Sequence, residues 1–205
     1  DPTQEYAYKR LLRVSHTVGG VRGLVKIYSE ATLRTPRIYA LWVVLGHLHR
    51  TNESPKLALK AYIKATEIKP KAAAPHVAIA RVHQRARAWT QALAAYDRAV
   101  SRAKGKSAKQ DILRNAAAAA LESKDDARAD AYYKALIKTA PRNVFLRMDY
   151  AQLLARMGRK RQALSLWKAL RKRAKGQLKH LVIIWREMAE LSQALKEDEQ
   201  AEKVV

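Results

Sequence analysis

The chain has no cysteine, a single phenylalanine, only seven glycines and six prolines in 205 residues, and few acids: 18 against 41 Lys and Arg. Without cysteine there can be no disulfide framework and no thiolate metal site. A cysteine-free chain folds equally well in reducing and oxidising surroundings, so compartment is not indicated by that count. With so few Gly and Pro there is little to interrupt helices, and the abundant Ala, Leu, Lys, Arg and Gln lose little on entering them. No apolar stretch approaches the ~20 residues that span a bilayer, and no signal-peptide pattern is visible. Because the chain opens at Asp1, a trimmed or processed product is expected to be one source of such a sequence. A cytoplasmic location is expected, with a periplasmic one as the alternative if the chain is a processed or trimmed product that had an upstream export signal.

The shortage of acids leaves a formal net charge of +23. It is unevenly spread. Residues 187–205 carry a net −4, from Glu187, Glu190, Glu197, Asp198, Glu199 and Glu202 against two Lys, and residues 1–186 carry +27. Such a surface attracts anions at long range, whether nucleic acid, acidic lipid or an acidic protein segment. It exceeds what solubility requires, which implies an anionic partner.

The chain aligns with itself. Ala58, Ala92, Ala129, Ala163 and Ala201 recur at spacings of 34, 37, 34 and 38. Twelve residues before each stands a small residue: Gly46, Ala80, Ala117, Ala151 and Ala189. Four residues after the first four stands an aromatic, Tyr62, Tyr96, Tyr133 or Trp167, and three further on Ala65, Ala99, Leu136 or Leu170. Pro70 and Pro141 close two of the units. Trp42, Leu45, Gly46 and His49 share one helical face, and Ala58, Tyr62 and Ala65 form the stripe facing it. Small residues let two helices approach, the aromatic fills the space towards the next pair, and Pro stops the second helix.

These marks resemble the tetratricopeptide repeat family, whose unit is ~34 residues long. The resemblance implies an all-α fold: a right-handed superhelical solenoid of antiparallel helix pairs, about five repeats plus a partial one. Units are expected at 5–38, 39–72, 73–106, 110–143 and 144–177, as one array over 1–205. The first keeps Tyr28, Ala31 and Pro36 but has Leu12 and Leu24 at the small positions. A partial unit at 182–205, with Trp185 and Ala189, is expected to break off inside its second helix, as a piece of a longer array would. Extra segments near 107–109 and 178–181 should lengthen helices or loops.

Motifs that could carry chemistry read as structure. Gly105-Lys106-Ser107 resembles the end of a phosphate loop, but the position needing the first Gly is Val100 and no strand precedes it. Gly19-Gly20-x-x-Gly23 lies where the first unit needs its turn. His47 and His49, two apart, point in different directions. His49 and His83 fall in equivalent core-edge slots, and His76 falls in the slot of Trp42. No metal and no cofactor is expected. Trp42, Trp89, Trp167 and Trp185 are expected to pack. Asp125, Asp126 and Asp130 open a helix, where its dipole favours negative charge. No nucleophile, base and orienting group assemble, so no enzyme is expected.

In tetratricopeptide arrays the first helix of each pair lines the concave surface. That resemblance places Lys9, Arg13, His47, Arg50, Arg81, Arg85, Arg114, Asn115, Asp149 and Gln152 on it, a mostly basic groove suited to carboxylates or phosphates. Lys9, Arg114 and Asn115 partly match the family's carboxylate clamp, but the Asn residues expected in successive first helices are missing. A second basic region runs from Arg156 and Arg159 through Lys160, Arg161, Lys168, Arg171, Lys172, Arg173 and Lys175 to Lys179. The reading is a protein–protein interaction scaffold binding an acidic or helical segment of another protein. The alternatives are RNA binding along the basic faces, with only Phe145 and Tyr6 as exposed inner aromatics for stacking, and a structural spacer in a bacterial envelope or secretion assembly.

Overall fold

The computed structural model describes residues 2–174 and 178–202, with side chains for 8–174, 178–196 and 198. Tyr6, Lys175, Glu197, Glu199, Ala201 and Glu202 lie outside the described side chains. Every described element is helical: α1 (Pro2–Arg13), a 3-10 turn (Ser15–Val18), α2 (Gly20–Arg34), α3 (Tyr39–Thr51), α4 (Pro55–Ile68), α5 (Ala74–Arg85), α6 (Trp89–Arg102), α7 (Lys106–Glu122), α8 (Asp126–Thr139), α9 (Val144–Arg156), α10 (Lys160–Arg173) and α11 (Leu178–Glu202). The chain divides into two compact units, 1–119 and 120–205, with the division inside α7. In the first, α2 packs on α3, α3 on α4, α4 on α5 and α5 on α6; in the second, α8 packs on α9, α9 on α10 and α10 on α11.

Four turns, between α3 and α4, α5 and α6, α7 and α8, and α9 and α10, share one geometry. Each closes with a six-to-one hydrogen bond: Ser54 N to His49 O, Ala88 N to His83 O, Asp125 N to Ala120 O and Arg159 N to Leu154 O, all 2.8–2.9 Å. The residue before each donor has positive φ: Glu53 (53°), Arg87 (54°), Lys124 (59°) and Gly158 (74°). This is the Schellman arrangement, which satisfies the last carbonyls of a helix. The donor residue then starts the next helix. Its carbonyl accepts from the amide four residues on, which belongs to Ala58, Ala92, Ala129 or Ala163. The register alanine is thus set by the turn before it.

These four alanines are fully buried, and Gly46, Ala80, Ala117 and Ala151 are buried too. At Gly46 the approach leaves no room for a side chain, because an added Cβ would lie 2.3 Å from Cε1 of the Tyr62 ring. Tyr62, Tyr96 and Trp167 fill the aromatic slot with at most 1% exposure. The third unit differs, for Tyr132 is buried while Tyr133 is half-buried and stacks on Tyr150 at 6.2 Å between centroids. Side chains of the slot four before the small residue cap the loop carbonyl six residues upstream: Trp42 Nε1 donates to Pro36 O (2.8 Å) and Arg147 Nη2 to Pro141 O (2.9 Å).

The first turn differs, with Gly19 and Gly20 both at positive φ (81° and 72°) around the 3-10 turn. Gly23 sits inside α2, where a Cβ would strike the Val18 carbonyl, so this glycine serves close approach rather than turning. Residues 107–109 extend the first turn of α7, and 178–181 open α11.

The end of the chain departs from expectation. A partial unit with the start of a second helix was expected there, but α11 runs unbroken through Glu202. Residues 186–202 contain no Gly, Pro or Asn, and are mostly good helix formers, so nothing stops the helix. Ala189, in the small slot, is exposed. Trp185, expected to pack, is 55% exposed, with the Arg171 guanidinium 4.8 Å from its ring centre. Among the described residues no second helix covers them, whereas α4 covers their equivalents on α3.

Candidate functional site

In the first unit, α3 and α5 bring together four of the expected groove residues. His47 is half-buried and shares a 2.7 Å hydrogen bond, Nδ1 to the hydroxyl of Tyr62. The two rings meet edge-on at 5.4 Å, and Tyr8 tilts against His47 at 5.3 Å, its hydroxyl bonded to Thr51 Oγ1 at 2.8 Å. Arg50, Arg81 and Arg85 converge electrostatically on this cluster. Burial raises the Tyr62 phenol far above its usual range, and the charges of all three arginines pull against that rise. Burial also drives His47 down to about 4, aided by Arg50 and Arg81. Arg81 and Arg85 are exposed and Arg50 half-buried. None of the three forms an ion pair among the described residues.

The other expected residues of this unit stand differently. Arg114 is exposed and pairs with Asp111 at 3.4 Å, one turn away on its own helix. Asn115 is half-buried, and Lys9 and Arg13 are exposed. In the second unit, Gln152 donates to Glu187 Oε1 at 3.2 Å. Asp149 has its carboxyl raised by burial and in turn raises the Tyr133 phenol, itself lifted mainly by burial. This stretch of α9 is therefore acidic to neutral, unlike the arginine cluster of α3 and α5.

Asp130 shows what a helix-start reading of acids misses. It is only 9% exposed and accepts from Tyr150 Oη and Lys134 Nζ, both at 2.7 Å, with Arg159 at 3.6 Å. Burial pushes its carboxyl up, but these hydrogen bonds and charges outweigh it and hold the pKa below the ordinary value. It ties α8 to α9 and α10. Asp125 and Asp126 do act at the helix start: Asp125 caps the Arg128 amide (3.0 Å), and Asp126 pairs with Arg156 (3.1 Å). Also missed was the Tyr62 hydroxyl, although a buried tyrosine must bring its O–H to a partner. Tyr96 repeats the device by donating to Gln84 Oε1 at 2.9 Å.

The depressed His47 pKa gives a pH prediction. The unfolded imidazole binds its proton near pH 6.5 and the folded one only near 4, so the unfolded state holds more protons between them. Stability is then lost as pH falls through that window, by up to about 3 kcal/mol from this residue. His49, His76 and His83 are shifted the same way by burial. Urea titrations from pH 7 to 4 should show this slope, and His47→Gln should flatten it. An unchanged slope in the variant would clear His47 of the effect.

Among the described residues no three His, Cys, Asp or Glu side chains gather as metal ligands. None of the described helices is long and apolar enough to cross a membrane.

Comparison with known proteins locates the fold. No protein-family model and no curated protein sequence matches the chain. Solved structures do. The TPR protein YrrB, described as having an unusual peptide-binding site, is similar at a TM-score of 0.54 and 16% identity, covering 80% of this chain and 86% of its own. MamA is similar at 0.61 and 14%, covering 85% and 93%. PilF of Pseudomonas aeruginosa is similar at 0.57 and 17%, covering 93% and 90%. The helix pairs, their shared turns and these likenesses together give the chain the tetratricopeptide-repeat fold.

Proposed function

We propose that the chain is a protein-interaction scaffold that holds an acidic segment of a partner protein at the arginine cluster of α3 and α5. The observation that carries this is a group of three arginines on α3 and α5, Arg81 and Arg85 exposed and Arg50 half-buried, whose charges act on the buried Tyr62–His47 hydrogen-bonded pair and which form no ion pair among the described residues. Guanidinium groups so placed keep their forks free for carboxylates. The partly desolvated floor of His47, Tyr62 and Tyr8 strengthens each such contact relative to open water. The peptide-binding site named for the similar YrrB fits a peptide ligand.

An RNA ligand is less well served here. Base stacking needs open aromatic faces, whereas Tyr62 is fully buried and His47 and Tyr8 lie against each other.

The test is titration of the protein with a fluorescent, amidated Glu-rich peptide and, separately, with single-stranded RNA across a salt series. Arg81→Glu and Arg85→Glu are exposed changes and should fold normally. Each should weaken peptide binding by about ten- to a hundredfold, ~1.4–2.8 kcal/mol. The reading fails if the variants bind the peptide as well as the parent. It also fails if RNA binds at moderate salt with the steep slope of many released counterions while the peptide does not.

A further inference from the structure

We infer that the open stripe of α9 is a docking seat for an extended segment of a partner protein that carries a lone arginine with an apolar residue two positions away. The seat lies in the second unit and stands whether or not the arginine cluster of α3 and α5 binds peptide.

The first observation is where the stripe lies. Phe145, Asp149, Gln152 and Arg156 follow at spacings of four, three and four, on one side of the helix, and all four are exposed. Met148, Ala151 and Leu154 are buried on one flank of it, and Leu146 and Leu153 on the other. α9 is an interior helix. α8 and α10 pack on it, and α11 reaches the edge of the stripe at two points. None of them covers it.

The second observation is which of these side chains are already engaged. Arg156 is paired with Asp126 (3.1 Å), and Gln152 donates to Glu187 (3.2 Å). Asp149 has neither an ion pair nor a hydrogen bond among the described residues, although the chain has 41 Lys and Arg against 18 acids. Beside it, Tyr133 of α8 stacks on Tyr150 at 6.2 Å. The slot of Tyr133 holds Tyr62 and Tyr96 in two other repeats, and there the hydroxyl is bonded within the chain, to His47 (2.7 Å) and Gln84 (2.9 Å). The Tyr133 hydroxyl has no such partner among the described residues. A free carboxylate and a free phenol thus adjoin. The Asp149 carboxyl is raised by burial, with no cation to offset it, and its charge reaches Tyr133.

Their chemistry selects the ligand. A guanidinium can fork onto a carboxylate while its plane lies against an aromatic ring, which an ammonium does less well. A run of basic residues would be opposed by the net charge of +23. A lone cation is governed by its immediate neighbours, because such fields fade within about 8 Å at physiological salt. One turn before Asp149 stands Phe145, the chain's single phenylalanine, 60% exposed with one edge on His180 at 4.9 Å. Four helical residues rise about 6 Å. Two residues of an extended chain span about 6.6 Å and point the same way. An arginine on Asp149 therefore brings the side chain two positions away onto Phe145.

The probe is an acetylated and amidated peptide Ser-Leu-Ser-Arg-Ser-Leu-Ser, which offers the leucine in either chain direction. Titrated into isotope-labelled protein and followed by NMR, it should bind with a Kd of about 0.1–1 mM and shift the signals of Phe145, Tyr133 and Asp149. Citrulline in place of arginine removes the charge and keeps the shape, and should weaken binding at least tenfold on the unchanged protein. Asp149→Asn, an exposed change checked by unchanged helical circular dichroism, should weaken it at least fivefold, and Phe145→Ser at least threefold. Moving both leucines next to the arginine should weaken it as Phe145→Ser does. Arg81→Glu, in the other unit, should change nothing. Any of four results overturns the proposal: no shifts at ~5 mM peptide; equal binding of the citrulline peptide; equal binding by Asp149→Asn; or shifts centred on Glu187 and Glu190 instead, the mark of general attraction to acids.

Discussion

Replacing Trp167 by Ala should cost about 3–5 kcal/mol, the range for emptying a large buried aromatic site. The indole is fully buried among Met148, Leu154, Leu170, Ile184 and Met188, where α9, α10 and α11 meet. Few domains have more than 5–15 kcal/mol to lose, so the second unit should melt well below the rest of the chain. In urea, far-ultraviolet circular dichroism should then resolve two transitions where the parent shows a more concerted one. Trp167→Phe separates volume from polarity. The indole N–H has no hydrogen-bond partner, so losing it removes an uncompensated donor while most ring contacts stay. That change should cost about 1 kcal/mol or less. If Phe proves as damaging as Ala, the N–H has a partner and packing is not the main term.

The second large effect is expected at Gly46, where glycine is needed for closeness rather than for backbone freedom. A Cβ there would overlap the Tyr62 ring, which is fully buried and held by the hydrogen bond to His47, so the ring has no free space to enter. Alanine gains about 1 kcal/mol in helix propensity. The overlap should cost more, about 1–3 kcal/mol, leaving a net loss. Gly46→Leu should not be accommodated, and the α3–α4 pair should open. The mechanism is specific enough for a double-mutant cycle. In a Tyr62→Leu background the ring is gone, and Gly46→Ala should turn neutral or stabilising; simple additivity would refute the overlap.

What the sequence reveals and hides follows from how far the deciding contact lies along the chain. The register alanines were legible because each amide bonds to the residue that ends the turn, four positions before it. The pairing of small residues was legible for a similar reason, being repeated at a near-constant offset. Asp130 was misread because two of its three partners, Tyr150 and Arg159, lie on the following helix pair. Its local pattern is that of any acid near a helix start. Trp185 and Ala189 were misread for the opposite cause: their local pattern matches that of covered residues, and whether a covering helix comes next is not written in the helix itself. The arginine cluster lies between these cases. Projection put His47, Arg50, Arg81 and Arg85 on one face, but the tyrosine hydroxyl at its centre comes from the second helix of the pair and could not be placed that way.

The four shared turns carry a consequence for how the chain reaches this fold. Three of them place Glu53, Arg87 and Lys124 in a backbone conformation that costs a non-glycine residue of order 1 kcal/mol or more. That cost is met only once the helices on either side are packed, so these three turns are late to form and early to relax. Within each unit, helices pack on their neighbours in sequence, so no long loop has to close before contacts form. Folding can start at any hairpin and spread to the next. The turn with a true glycine, Gly158 between α9 and α10, has the least strain to overcome, which makes that hairpin the natural place for it to begin.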